Sequence, residues 1–261
     1  MRALRVVSYN VGGSSRWKDQ GAWTQAICSA VAEARPDLLA MQEIRARVAP
    51  GLVAGLARIG LVPGDGGARE RVFYRPGSLR PQGHRRERVD AQSEDGGERF
   101  LNWSRWASSE GFSFSLCNVH LVGAANKAAA ARQIADSEPS EAAIIAGDFN
   151  LLSSHYVHGH LSAAGWQDAA LSALVGDAGP TIHRHGAAKR RRVDWILAPF
   201  PWAPRAYGVR RLADVALEPS DHHPIWADLA WDPLGTWSAQ GLSSPGNPAF
   251  SPRGRPPATP K

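Results

Sequence analysis

Residues 144–150 read Ile-Ile-Ala-Gly-Asp-Phe-Asn, and the organisation of the whole chain follows from this stretch. The apolar run predicts the end of a buried strand, and Gly147 predicts a turn directly after it. Side chains two residues apart in an extended backbone point the same way, so Asp148 and Asn150 can enter one site. A carboxylate beside an amide suits a bound divalent cation and an attacking water. The alternative is a strand followed by an Asx turn, which Asp and Asn favour by themselves.

The composition predicts a globular protein with a core of its own. The chain has 261 residues, of which 43% are hydrophobic, and this suits one large domain or two small ones. No run of 18 apolar residues occurs, so we expect no membrane span. The first residues lead into a strand pattern without a signal-peptide region, which predicts a cytoplasmic location. Cys28 and Cys117 are predicted to be buried free thiols rather than a disulfide.

The chain is basic, with a formal net charge of +6, and nearly all of its basic residues are arginine. This balance suits a polyanionic partner such as nucleic acid. Coding bias in a GC-rich genome would enrich arginine in the same way, so the charge alone does not choose a substrate.

The first part of the chain follows a strand–helix–strand pattern. Residues 5–11 predict a strand ending at Asn10, and apolar residues at helical spacing predict a helix over 23–34. A short buried strand at 38–41 then ends at Glu43. Parallel strands joined by a right-handed crossover would bring these two polar ends side by side. Taken singly, Asn10 is more typical of a turn residue, and Glu43 of a solvated helix start, than either is of a ligand.

The middle of the chain predicts a second helix and a set of strands. The predicted elements are a helix at 52–61, a Gly-rich turn at 64–67, a strand at 71–75, a charged strand at 79–90, and a hairpin of 100–107 with 112–119. Trp103 and Trp106 lie in the hairpin, where packing in the sheet is a commoner use for them than stacking on bases. The hairpin ends at His120, which alternates with apolar neighbours and can point into the same cleft as Asp148.

The later part of the chain adds a helix, a histidine-rich stretch and three strands. Residues 124–137 predict a helix, and 151–164 predict an irregular or weakly helical segment. That segment holds His155, His158 and His160, which we interpret as a solvated loop because no carboxylate or Cys is interleaved with them. Strands are predicted at 193–198, 207–212 and 225–229.

One predicted strand carries an acid inside an apolar run. Asp194 follows the basic run 189–192, whose side chains could flank the mouth of the cleft or form a solvated loop. A carboxylate in a buried strand needs a partner, because an unpaired buried charge is costly. We divide the chain into a domain at 1–231 and a tail at 232–261, in which 15 residues are Pro, Gly or Ser.

Polar residues at the ends of apolar strands recur along the chain, and their order resembles that of the endonuclease/exonuclease/phosphatase superfamily. The resemblance covers residues 4 to about 230. It rests on the motifs Ser-Tyr-Asn-Val (8–11), Gln-Glu (42–43), Asn-Val-His-Leu (118–121), Gly-Asp-Phe-Asn (147–150), Arg-Val-Asp-Trp-Ile-Leu (192–197) and Ser-Asp-His-His-Pro-Ile (220–225). That superfamily includes pancreatic-type deoxyribonucleases, abasic-site endonucleases, sphingomyelinases and inositol-phosphate 5-phosphatases.

The resemblance implies an α/β fold, a four-layer α/β sandwich in which two mixed β-sheets pack face to face with helices on the outer faces. It also implies a phosphoester hydrolase that depends on Mg²⁺, with Mn²⁺ as an alternative. The implied metal residues are Asn10, Glu43 and Asp221. The implied catalytic residues are His120, Asp148, Asn150, Asp194 and His222.

The resemblance also implies a role for each of these catalytic residues. Asp148 would orient or deprotonate the attacking water, and Asn150 would hold that water and a phosphate oxygen. Asp194 would fix the tautomer of His222, and His120 would donate to a non-bridging phosphate oxygen. Whether Asp148 or His222 is the general base stays open at this point.

The chain departs from some nuclease members at one position. Those members carry an acid two residues after the first Asn, where this chain has Gly12. The departure weakens a second metal contact and the match to abasic-site endonucleases in particular.

Three functions remain as alternatives. The first is a nuclease acting on DNA or RNA, which the basic charge and the arginine clusters favour. The second is a phosphodiesterase or phosphatase acting on a lipid or inositol phosphate. The third is a non-catalytic nucleic-acid-binding module, although every motif residue is present. We expect a monomer with no stable membrane association.

Overall fold

The computed structural model describes residues 3–12, 17–67, 69–90, 98–136, 142–183, 191–211 and 219–234. In chain order its strands are β1 (Leu4–Asn10), β2 (Leu38–Gln42), β3 (Val62–Gly66), β4 (Arg71–Tyr74), β5 (Leu79–Arg88), β6 (Phe100–Ser108), β7 (Ser113–His120), β8 (Ala143–Asp148), β9 (Gln167–Asp168), β10 (Val175–Gly176), β11 (Asp194–Ala198), β12 (Trp202–Val209) and β13 (Ile225–Trp231). The helices are α1 (Gln20–Ala34), α2 (Ala49–Arg58), α3 (Ala124–Asp136), α4 (Tyr156–Ala163) and α5 (Ala169–Ser172).

The strands form two mixed sheets. The first sheet has seven strands in the order β10-β12-β13-β1-β2-β4-β3, and the second has six in the order β5-β6-β7-β8-β11-β9. Parallel pairing joins β1 to β2 in the first sheet and β7 to β8 in the second. These parallel pairs are connected through α1 and α3, as parallel strands require.

Three apolar clusters define four layers. The cluster between the sheets combines residues of both, including Val6 from β1 and Ile144 from β8. A second cluster packs α1 and α2 on the outer face of the first sheet, where Trp23 is fully buried. A third packs α3 and α4 on the outer face of the second sheet, around Phe149 and Trp195. The predicted four-layer α/β sandwich is therefore confirmed.

Buried polar side chains also link the two sheets. Gln42 at the end of β2 donates from Nε2 to Asn118 Oδ1 on β7, at 2.8 Å. Asn118 in turn donates to the backbone carbonyl of Met41, at 2.9 Å. Both side chains are fully buried, so these bonds fix the register of one sheet on the other close to the strand ends.

Two predicted elements are wrong in their extent. The predicted Gly-rich turn at 64–67 is largely strand, because β3 runs through Gly66 and pairs with β4 across a bulge. A Cβ atom at Gly64 would lie 2.8 Å from the indole of Trp106, so the absent side chain lets this edge strand cross the tryptophan. The strand predicted at 207–212 is β12, which begins at Trp202, because a register shift after Pro204 accommodates the proline inside the strand.

Several single predictions are confirmed. Trp103 and Trp106 are buried in the sheet, and Cys28 and Cys117 are buried free thiols. Among the described helices, none combines the length and the apolar character that a membrane span needs. Most of the predicted tail, from residue 235 onward, lies outside the described residues.

Candidate active site

Strand pairing brings the motif residues to one end of the two sheets. In the second sheet His120 lies opposite Asp148, and Asp148 lies opposite Asp194, so the three residues form one row. In the first sheet Asn10 ends β1 beside the end of β2. Residues in one row of a sheet share a face, which here is the face that looks toward the other sheet.

Asp148 is the centre of the polar cluster and is almost fully buried. Its Oδ2 accepts from Asn10 Nδ2 at 3.0 Å and from Asn150 Nδ2 at 2.9 Å. Its Oδ1 accepts from the backbone N–H of Asn150 at 2.8 Å. Asn150 has a φ of 51°, a left-handed conformation that Asn tolerates, and this turn closes the side chain back over Asp148.

Gly147 lies inside β8, where the strand passes close to β7, so the turn predicted at this residue is wrong. Its φ is 156°, and a Cβ atom there would overlap the carbonyl oxygen of Val119. Only glycine therefore fits the close approach of β8 to its parallel neighbour at the point where Asp148 enters the site.

Glu43 is the most open carboxylate of the cluster, with 28% of its side chain exposed. It follows β2 with a φ of 60°, a strained conformation for a glutamate, which turns the side chain toward Asn10. Asn10 Nδ2 donates to Glu43 Oε1 at 3.2 Å, so one amide ties Glu43 to Asp148. A Cβ atom at Gly12 would lie 2.9 Å from Glu43 Oε2, so the glycine leaves room for this carboxylate.

His222 and Asp194 form a buried pair. His222 Nδ1 lies 3.0 Å from Asp194 Oδ2, and its Nε2 lies 3.7 Å from Asp148 Oδ2. Thr181 donates from its hydroxyl to Asp194 Oδ2 at 2.6 Å and accepts from the backbone N–H groups of Val193 and Asp194. Asp194 is therefore held from two sides and fixes the ring of His222, as a carboxylate orients a catalytic imidazole.

Burial and charge shift the pKa values of the central groups in a coupled way. Burial raises the pKa of Asp148 to about 6, assisted by repulsion from Asp194 and opposed by His222 and His120. Burial lowers the pKa of His222, but attraction from Asp194, the hydrogen bond to it, and attraction from Asp148 outweigh that effect and raise it to about 10. The site therefore favours a charged imidazole between carboxylates.

His120 is surrounded by carboxylates. Its Nε2 lies 3.6 Å from Glu43 Oε1 and 3.7 Å from Asp148 Oδ2, and its Nδ1 lies 3.9 Å from Glu70 Oε1. These distances exceed ordinary hydrogen-bond lengths, so the ring faces three carboxylates without a hydrogen bond to any of them.

Asp221 lies at the edge of the site rather than at its centre. Its backbone carbonyl accepts from the N–H of His183 at 2.9 Å, and its charge helps to raise the pKa of His222. The neighbouring Ser220 is buried and donates from its hydroxyl to the backbone carbonyl of Asn10 at 2.7 Å. This bond joins the loop before β13 to the end of β1.

The donor chemistry of the site fits a hard divalent cation. Glu43 offers an accessible carboxylate and Asp148 a second one, and the Nδ2 of Asn10 donates to both while its Oδ1 accepts from the backbone N–H of Gly12. Asp148, Asp194 and His222 also have ligand atoms within 4.8 Å of one another, but this group is buried and Nδ1 of its histidine faces Asp194. The Glu43 end is therefore the place that suits a hard divalent cation, because such ions require oxygen ligands and open coordination positions.

Two predictions about the later basic and histidine residues are wrong. His158 is buried in α4, and its Nε2 lies 2.8 Å from Asp168 Oδ2, so it is not part of a solvated loop. Arg192 is also buried and makes two hydrogen bonds to Asp168, at 3.1 and 2.6 Å, so it does not flank the cleft. The sequence missed this pair because the partner acid lies in a different segment. Lys189 and Arg190 lie outside the described residues.

Three contributors to the site were missed by the sequence reading. Thr181 and Ser220 hold Asp194 and the end of β1, and Glu70 approaches His120 from the loop before β4. Ser220 lies within a recognised motif, which is a usable signal. Thr181 and Glu70 carry no local signal, because single hydroxyl and acid residues in loops are common.

A family model described as Endonuclease/Exonuclease/phosphatase family matches residues 7–222. The chain belongs to this family. Members of the family hydrolyse phosphoesters and depend on a divalent metal, and the motif residues described above all lie within the matched range. No curated protein matches the chain.

Solved structures of the endonuclease/exonuclease/phosphatase family share the fold of this chain. A Bacteroides vulgatus family protein has a TM-score of 0.76 at 20% identity, over 89% of this chain and 100% of its own. A mannosyl-6-phosphatase of Bacteroides thetaiotaomicron has a TM-score of 0.72 at 20% identity, over 88% and 100% of the two chains. TDP2 of D. rerio, complexed with a single-strand DNA product, has a TM-score of 0.67 at 15% identity, over 87% and 98%.

Proposed function

We propose that the protein is a divalent-metal-dependent hydrolase of phosphodiester bonds in nucleic acid. The observation that carries the proposal is the convergence of Glu43, Asp148 and His222 on one centre from three distant segments. Asn10 joins the two carboxylates through one amide, and His222 approaches Asp148 from the other side. Such a combination of open carboxylate, buried carboxylate and oriented imidazole suits phosphoryl chemistry.

The metal would be held by Glu43, with Asn10 beside it and Asp221 at the periphery. When bound there, Mg²⁺ or Mn²⁺ would polarise a phosphoryl oxygen and offset the negative charge of the transition state.

The protein side chains would position water and move its proton. Asp148 and Asn150 present an oxygen and an amide side by side, which suits an attacking water held in line with the phosphorus. His222 Nε2 and Asp148 Oδ2 face each other at 3.7 Å, so with the imidazole charged Asp148 would take the proton of the water and His222 would stabilise the resulting charge. His120 keeps its N–H donor for a non-bridging phosphate oxygen.

Charge and the related folds support nucleic acid as the substrate. The net charge is +6, and the exposed arginines Arg85, Arg86 and Arg88 lie on the edge strand of the sheet that bears His120. The similarity to TDP2, which was solved with a single-strand DNA product, agrees with this substrate class. The similarity to the mannosyl-6-phosphatase favours a second candidate, the hydrolysis of a sugar phosphate monoester.

A substrate panel tests the proposal. Purified protein is given single- and double-stranded DNA, abasic DNA, RNA, sphingomyelin, inositol phosphates and mannose 6-phosphate, each with Mg²⁺ and with EDTA. We expect EDTA-sensitive cleavage of nucleic acid. The variant His222→Ala, purified in the same way, should lack this cleavage and so exclude a contaminating nuclease. Turnover of lipids or phosphate monoesters alone would reject the nucleic-acid proposal.

A further inference from the structure

The sheet row that holds the active-site residues continues to an exposed edge strand. Strands β6 and β7 pair with Asn102 opposite Asn118, and extending that register by two residues places Phe100 opposite His120. On the far side of β6, Phe100 pairs with Arg88 of the edge strand β5. The side chains in such a row share one face of the sheet, so Phe100 stands next to His120 on the face that forms the site.

Phe100 is not a core residue. It is half-buried, and it belongs to none of the three apolar clusters formed by the described residues. The guanidinium carbon of Arg86 lies 3.8 Å from the centroid of its ring. An aromatic ring that is held by an arginine but not packed into a core suits contact with a ligand.

Arg86 is available for an anion. It is exposed, and within the described parts of the chain its side chain has no ion pair with a carboxylate. Its neighbours differ in this respect, since Arg85 lies 3.6 Å from Glu87 and Arg88 lies 3.5 Å from Glu98. The charge that can bind a phosphate at this edge is therefore assigned to Arg86.

The spacing fits a strand of nucleic acid that extends from the active site. Facing side chains on adjacent strands start about 5 Å apart, and adjacent strands are separated by about 4.8 Å. By the extended register the side chain of Phe100 starts about 5 Å from that of His120, and the edge strand β5 lies about 10 Å from β7. A stacked nucleotide advances about 3.4 Å, so both residues lie within reach of the nucleotides next to a phosphate bound at His120.

We propose that Phe100 and Arg86 form a subsite for a nucleotide that flanks the scissile phosphate of a single-stranded substrate. Phe100 stacks on the base, and Arg86 binds the adjoining phosphate. A single strand is the occupant because a base inside a duplex has no free face for the ring. This inference rests on the proposed function and names the strand type that the function leaves open.

A membrane surface fits this edge less well than nucleic acid does. Membrane contact needs exposed apolar side chains beside the basic ones. Among the described residues, the exposed large hydrophobic side chains all lie outside β5 and β6; they are Leu152, Tyr156, Leu171, Leu174, Val175, Phe200 and Leu234.

Two kinds of substrate test the subsite. The first is a single-stranded oligonucleotide, and the second is bis(4-nitrophenyl) phosphate, which has the scissile bond but no flanking nucleotide. In Phe100→Ala we expect kcat/KM for the oligonucleotide to fall about 5- to 150-fold relative to kcat/KM for the small diester. This factor corresponds to the stacking free energy of one base. Phe100→Leu, which keeps apolar bulk without a ring, should show the same fall.

The arginine is tested by salt dependence. In Arg86→Gln the plot of log binding constant against log salt concentration should lose about 0.7 of slope for a single strand, because one phosphate contact is removed. Binding is measured with EDTA present, so that no cleavage occurs. Arg80→Gln is the matched control, since Arg80 is an exposed arginine at the opposite end of β5, where it pairs with Ala107. This substitution should change neither the salt dependence of binding nor the ratio of the two kcat/KM values.

The outcomes separate this inference from the proposed function. If the wild type cleaves the oligonucleotide and the Phe100 and Arg86 variants cleave and bind it equally well, the subsite alone is overturned. Wild-type protein that hydrolyses only the small diester and does not bind the oligonucleotide would overturn both. Loss of binding to phosphatidylserine vesicles in Arg86→Gln, with oligonucleotide binding unchanged, would replace the nucleotide by a lipid surface.

Discussion

Thr181 tests the orientation of His222, the histidine to which we assign a catalytic role, without altering a proposed reacting group. Its hydroxyl donates to Asp194 at 2.6 Å, and Asp194 holds His222. Thr181→Val keeps the shape of the side chain and removes the hydroxyl, so we expect kcat to fall about 10- to 100-fold. This factor corresponds to the loss of a hydrogen bond to a charged group, which contributes about 1.5–3 kcal/mol. The pH–rate profile should shift as well, because the charged imidazole loses part of its support.

Thr181→Ser is the control for this prediction, because it keeps the hydroxyl. It should retain most of the activity and the original pH–rate profile. A Thr181→Val enzyme with the kcat and pH dependence of the wild type would show that Asp194 needs no second anchor.

The close approach of β8 to β7 beside Asp148 depends on a single glycine, Gly147. Gly147→Ala would force a Cβ atom into the carbonyl of Val119, so β8 would have to separate from β7. We expect the free energy of unfolding to fall by about 2–4 kcal/mol, in the range of backbone strain and lost packing. Urea denaturation followed by circular dichroism measures the change.

A second glycine provides the matched control at the level of the element. Gly159 lies inside α4, is exposed, and would have no atom within 4 Å of an added Cβ. Gly159→Ala should raise the free energy of unfolding by about 0.5–1 kcal/mol, because alanine favours the helix. Equal effects of the two substitutions would contradict the steric explanation for Gly147.

The elements with a strong local pattern could be predicted from the sequence. The strand–helix–strand unit that ends in Asn10 and Glu43 was recoverable because buried strands and an amphipathic helix have clear periods. The edge strand β3 and the start of β12 were not, because Gly64 and Pro204 signal turns when read locally. In the fold, an indole ring and a β-bulge make these residues suitable for strands.

The same limit applied to the site. The motif residues were found because each lies at or near an end of an apolar strand, whereas the pairing of Arg192 and His158 with Asp168 joins segments that no local pattern connects. Whole-molecule contacts decide whether a basic residue faces solvent or a buried acid.

The buried Asp168 network should govern acid stability. Burial alone would raise the pKa of Asp168, but the hydrogen bond from His158 and the charge and hydrogen bonds of Arg192 lower it below the ordinary value of 3.8. A lowered folded-state pKa stabilises the protein above pH 3.8, and this stabilisation is lost as the pH falls through the folded-state value. Asp168→Asn should therefore lower the free energy of unfolding by about 3–5 kcal/mol at pH 7, because it leaves Arg192 buried without its partner.

The pH dependence of that difference is the decisive feature. The gap between wild type and Asp168→Asn should narrow as the pH falls from 3.8 through the lowered folded-state pKa of Asp168, because the wild-type carboxylate then becomes protonated. Asp177→Asn is the control, since Asp177 makes an exposed ion pair with Arg211 and its loss should cost at most about 1 kcal/mol. A gap that stays constant with pH would contradict the role of the charge.

The most direct test of the account is a double-mutant cycle on turnover, with Asp148→Asn, His222→Ala and both together, on a single-stranded oligonucleotide with Mg²⁺. Each single variant should lose about 10²–10⁴ in kcat while keeping the fold by circular dichroism. The double variant should lose far less than the product of the two, because the residues act as one unit. Single variants that turn over like the wild type, or losses that multiply in full, would contradict a single catalytic centre.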